Sequence, residues 1–115
     1  MSQELQERFF NFAKCVRDFC GKTKWDIINT EYIRQLIRSS GSINANYIEA
    51  SDDLGKGDEK MKIKIARREA KEAVHWLRLI LVYNDFELES QRNILIDEGT
   101  QIRKILSAIL IKLNA

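Results

Sequence analysis

A chain of 115 residues is long enough to bury a core of its own without disulfide or metal staples. With 19 basic and 17 acidic residues and a net charge of +2, it has no global field to draw nucleic acid or an anionic membrane. Proline is absent, glycine numbers only 5 and no apolar run approaches the roughly 18 residues of a membrane span, which excludes loop-rich β folds and spanning helices.

The first helix is predicted from about Gln3 to Gly21, with Leu5, Phe9, Phe12, Val16, Phe19 and Cys20 as its apolar stripe. Gly21 is the expected left-handed terminator, and Trp25-Asp26-Ile27-Ile28-Asn29 the connector. The second helix is expected over about Thr30–Ala50. Its Ile33, Leu36, Ser40, Ile43 and Tyr47 share one face, and Gly41 is read as a point of close backbone approach. A loop follows through residues 51–59. The third helix is predicted from Asp58 to about Leu88, about 45 Å long at 1.5 Å per residue. The fourth runs from about Ser90 to Leu113, with Gly99 read through and Leu95, Ile102, Leu106 and Leu110 on its core face. Long helices with short connections predict an all-α, up-and-down antiparallel four-helix bundle, one domain over residues 1–115.

The second half of the third helix, Ala73 to Tyr83, is apolar almost all round. One stripe serves the bundle. A second, made of Trp76, Leu79 and Tyr83, is expected to be covered by another copy of the chain, because so small a bundle has too few partners for both. Arg38, Ser42, Asn46 and Glu49 follow a polar face of the second helix, with Glu72 opposite on the third. That face reads either as a ligand or partner site, or as a hydrogen-bonded seam that fixes helix register. From Lys56 to Lys71 seven basic residues face three acidic ones, and Lys60, Lys64, Arg67 and Lys71 align on one side. The stripe reads either as a solvated face or, multiplied by symmetry, as a nucleic-acid surface without base stacking, since no aromatic interleaves it.

Enzyme chemistry is not expected. His75 is the only histidine, so Glu72-Ala73-Val74-His75 matches a di-iron half-motif whose second copy is missing. Cys15 and Cys20 lie about 140° apart around a helix and have no histidine to spare as an activating base. Leu54-Gly55-Lys56-Gly57 is too short for a phosphate loop. No cofactor or metal is expected. The charged start, Met1-Ser2-Gln3-Glu4, does not read as a signal peptide, and a reduced, cytoplasmic protein is the expectation.

Gln35-Leu36, Arg38-Ser39-Ser40, Ser42-Ile43-Asn44-Ala45-Asn46 and Glu49-Ala50, followed by Ile65-Ala66-Arg67 and Glu72, resemble the 23S rRNA intervening-sequence protein family. The family pattern is Gln-Leu, Arg, small residues, Ser-Ile-Pro-Ala-Asn, Glu-Gly, then Ala-Arg-Gly-Ser-x-x-Glu. Asn44 and Ala50 stand here for its proline and glycine, and Arg68 and Glu69 for small residues. The resemblance implies a four-helix bundle in the bacterial cytoplasm, assembled with itself, often as a five-membered ring, and with no established enzymatic activity. Two functional readings follow: a non-enzymatic homo-oligomeric scaffold, whose partner is itself, a homopentamer, or another protein; and an RNA- or DNA-binding accessory.

Overall fold

The computed structural model describes residues 2–52 and 55–114 and builds them into four helices: α1 (Gln3–Lys22), α2 (Ile27–Ser51), α3 (Lys56–Leu79) and α4 (Phe86–Asn114). Helix α1 packs on α2 and α4, and α3 packs on the same two, so α1 and α3 sit diagonally across an antiparallel up-and-down bundle. The rod measures 46 × 22 × 19 Å. Its core holds the expected rows: Phe9, Phe12 and Val16 from α1, Ile33, Leu36, Ile43 and Tyr47 from α2, Leu77 from α3, and Ile102 and Leu106 from α4. Phe9 meets Tyr47 edge to face at 5.0 Å, and the Tyr47 hydroxyl accepts a hydrogen bond from the Ser2 N–H at 2.9 Å. The start of the chain is thereby tied to the end of α2.

Helix ends depart from the sequence reading where side chains satisfy the free backbone groups of a terminus. Gly21 is helical; α1 runs through it to Lys22 and stops at extended Thr23, whose hydroxyl donates to the Cys20 carbonyl at 2.7 Å. The expected connector is mostly helix. Asp26 caps α2, its Oδ1 accepting from the Ile28 and Asn29 N–H groups at 3.1 and 2.8 Å, so α2 begins three residues earlier than Thr30. The loop expected over 51–59 is shorter than read: α2 reaches Ser51 and α3 starts at Lys56, while residues 53–54 lie outside the described residues. Helix α2 also continues without interruption through Asn44, which keeps the N–H that a proline would lack.

The largest correction concerns α3, which ends at Leu79 rather than near Leu88. Ile80 turns extended, and Tyr83 and Asn84 take positive φ of 52° and 63°. The buried Asn29 holds this turn in place: its Nδ2 donates to the Leu81 carbonyl at 2.8 Å and its Oδ1 accepts the Leu81 N–H at 2.9 Å. Asp85 accepts from the Leu88 N–H at 3.1 Å and opens α4 at Phe86, four residues before the expected start.

The two mid-helix glycines exchange roles relative to expectation. Nothing lies within 4 Å of a Cβ built on Gly41, so no neighbour closes on it. At Gly99 the same atom would stand 2.9 Å from Val74 Cγ2 and 3.3 Å from Phe12 Cζ. The close approach in this bundle is therefore on α4, against α1 and α3.

Candidate functional site

Burial and charge divide the surface of the bundle into distinct regions. Along the α2–α3 interface, Arg38 reaches across the helices and donates from Nη1 to Glu69 and from Nη2 to Glu72, each at 3.2 Å. The Glu69 side chain is only 5% exposed. Burial, and then the nearby Glu72, hold its carboxyl above the ordinary range, against the opposing pull of Arg38 and Arg68. Further along the same interface Lys62 pairs with Glu49. The other members of the polar face stay within their own helix: Ser42 Oγ donates to the Arg38 carbonyl at 2.9 Å and Asn46 Nδ2 to the Ser42 carbonyl at 2.8 Å. Arg38, Glu49 and Glu72 thus make cross-helix contacts, Ser42 and Asn46 do not, and the buried acid Glu69 is the member that spacing missed. Its signal was faint: an acid one helical turn before Glu72, inside the charged run Arg67-Arg68-Glu69-Ala70-Lys71.

On its opposite side α3 lines a groove of about 310 Å³ with Lys64, Arg67, Arg68 and Lys71, which Arg103 and Ser107 of α4 complete. No acidic residue lines it. Of its five cations only Arg68 approaches a carboxylate among the described residues, Glu69 at 4.0 Å. Lys60 lies a helical turn before this groove and does not line it. Arg103 was not part of the sequence reading; only the antiparallel pairing of α3 with α4 sets it beside Arg67 and Lys71. On the neighbouring face, which α4 also borders, the α1–α4 groove of about 550 Å³ has the opposite character. Glu4, Glu7, Asp97 and Glu98 line it, and Arg8 grips Glu98 through both carboxylate oxygens at 2.9 and 2.8 Å.

The end of the rod where α1 meets α2 and α3 meets α4 is apolar and open. Ile27 is 94% exposed and Phe86 88%, and Trp25, Ile28, Leu79, Leu81 and Tyr83 are exposed with them. Local hydrogen bonds hold the two connections together. Trp25 Nε1 donates to the Cys20 carbonyl at 2.9 Å, the Tyr83 hydroxyl bonds to Asp26, and Lys24 Nζ sits 5.3 Å from the Tyr83 ring centre. Leu79 and Tyr83 of the expected interface belong to this open end. Trp76 is half-buried, stacked on Tyr32 at 6.0 Å, and its indole N–H is shielded with no acceptor among the described residues.

The groups considered for catalysis are scattered. His75 is exposed and edge-on to Trp76 at 4.8 Å. Burial raises the Cys20 thiol to about 12, well away from the thiolate a nucleophile requires. Among the described residues no three histidine, cysteine or carboxylate side chains are grouped to hold a metal ion, and no helix is long and apolar enough to cross a membrane.

By fold this is an up-and-down four-helix-bundle protein, with its chemistry distributed over surfaces rather than gathered in a pocket. The chain belongs to the 23S rRNA-intervening sequence protein family, whose model matches residues 3–108. Its backbone is similar to the crystal structure of a protein of unknown function from the S23 ribosomal protein family of Bacteroides thetaiotaomicron. That likeness has 27% identity, covers 91% of this chain and 96% of the other, and has a TM-score of 0.76. No curated protein matches this chain. Neither description names an activity.

Proposed function

We propose that the chain is a non-enzymatic scaffold that assembles with itself through the open apolar end of the bundle, closing into a ring, five-membered as the family resemblance implies. The observation that carries this reading is the concentration of Trp25, Ile27, Ile28, Leu79, Leu81, Tyr83 and Phe86 at one end. Soluble monomers rarely gather so many large apolar groups in one exposed region, because each leaves area in water that a partner would remove at about 25 cal/mol per Å².

The interface of the proposal keeps Trp76, Leu79 and Tyr83 and extends them to the connection before α2. Light scattering on the purified chain at micromolar concentration tests it. An oligomer is expected, and Ile27→Glu or Phe86→Glu should dissociate it while leaving helix content intact, since both side chains are almost fully in water. A monomeric chain at that concentration overturns the reading.

A further inference from the structure

The groove between α3 and α4 holds a charge arrangement that neither the fold nor self-assembly through the apolar end requires. Lys64, Arg67, Lys71 and Arg103 converge there without a carboxylate among the described residues, on a chain whose net charge is only +2. The α2-facing side of the same helix α3 pairs its charges instead: Arg38 with Glu69 and Glu72, and Lys62 with Glu49. Like charges brought together on a helix pair repel and lower stability, so a cluster left unpaired where its neighbours are paired points to a counter-charge supplied from outside.

We infer that this groove binds the phosphodiester backbone of a double-stranded nucleic acid. Three observations choose that ligand over other anions. The cations are strung out along the helix: Lys64 to Lys71 spans about 10 Å at 1.5 Å per residue, which suits several phosphates of a strand rather than one compact anion. Arg67, Arg68 and Arg103 carry planar guanidinium forks that match phosphate oxygens in pairs, and Ser107 adds a hydroxyl donor at the same wall. No aromatic side chain lines the groove, so it offers no platform for unstacked bases, and recognition through the backbone of a duplex is what remains. This site rests on the α3–α4 pairing alone and stands whether or not the chain forms a ring.

The test is fluorescence anisotropy with a labelled duplex of about twenty base pairs, one arm RNA and one arm DNA, over a salt series. Five phosphate contacts give a slope of log K against log salt of about −4.5, and binding in either arm with such a slope supports the site. Arg103→Glu should weaken binding by about tenfold or more and make the slope shallower by about one. The same substitution should keep helix content and should not lower the melting temperature, because it relieves like-charge crowding; Arg67→Gln, which adds no acid, repeats the direction in milder form. Lys14→Glu, on the diagonally opposite α1, should change binding far less. The proposal fails if neither duplex binds at low salt, or if Lys14→Glu weakens binding as much as Arg103→Glu. It also fails if polyglutamate or inorganic phosphate displaces the duplex as well, charge for charge, as unlabelled duplex does. The first of those competitors would mark an acidic protein surface as the partner, and the second a small-anion site.

Discussion

Along its α2-facing side, α3 sets Glu69 and Glu72 against Arg38 and Lys62 against Glu49, so that charges at that interface meet their opposites. Along its α4-facing side, Lys64, Arg67 and Lys71 are joined by Arg103, another cation. The two sides belong to one helix and alternate every few residues along it. The first side is internally complete: Glu69 is buried, and a buried carboxylate is tolerated because a guanidinium reaches it. The second keeps its cations at the rim of a groove, where water screens them and an outside anion can replace that water. Paired charge near the core thus bridges α2 and α3, while the cations beside α4 line a groove with no carboxylate among the described residues.

The sharpest way to break this contrast is to remove the cation that completes the paired side. Arg38→Ala leaves Glu69 buried beside Glu72 with only the more distant Arg68, and should cost about 1–2 kcal/mol, less than a fully buried pair because Arg38 itself is half in water. Urea denaturation measures it. The double variant Arg38→Ala with Glu69→Gln should recover most of the loss, because the stranded charge is then gone. No loss in the single variant would show that the pair contributes nothing to α2–α3 registration.

Next in size is the apolar contact beneath the unpaired side. Gly99→Ala should destabilise by about 1 kcal/mol, since the crowding of Val74 and Phe12 outweighs the better helix propensity of alanine. At Gly41, where a Cβ meets nothing, the same exchange should stabilise by a similar amount or less. Thermal melts of the two variants should move in opposite directions.

The smallest expected effect is the pH dependence of the paired side. Glu69 has a folded-state pKa raised above its ordinary value of 4.5, chiefly by burial. Below that value the carboxyl is protonated in both folded and unfolded chains and contributes nothing. As pH rises, the unfolded chain ionises first and is favoured, and above the raised value the destabilisation is complete. Relative to Glu69→Gln, the native chain should therefore lose stability as pH rises out of the ordinary carboxylate range, in denaturation curves taken at acid and neutral pH. A difference that grows in the other direction would mean that Arg38 dominates the environment of Glu69.

Much of the bundle could be read from spacing alone. Phe9, Phe12 and Val16, or Ile33, Leu36 and Ile43, repeat at three and four, and that rhythm places them on the buried face of a helix whatever the neighbours are. The end of α3 could not be read that way, because Leu77 to Tyr83 continues the apolar rhythm past the last helical residue. The stop comes from Asn29, more than fifty residues earlier, which captures both backbone groups of Leu81, and from the Asp85 cap. Spacing also placed Arg38 and Glu72 on facing sides but left Glu69 out of the polar face, since an acid within the charged run Arg67-Arg68-Glu69-Ala70-Lys71 has the look of a solvated position until packing covers it.

Composition and periodicity by themselves determined four helices, the rows that form their core, the absence of a global charge and the basic run on α3, since each follows from local backbone geometry and residue chemistry. Only the tertiary structure decided where the helices end, which glycine is crowded, that Arg103 completes the cationic groove and that Ile27, Leu79, Tyr83 and Phe86 gather at one end. Those features depend on which residues distant in sequence the antiparallel packing brings together, and a local repeat carries no information about its partner across the bundle.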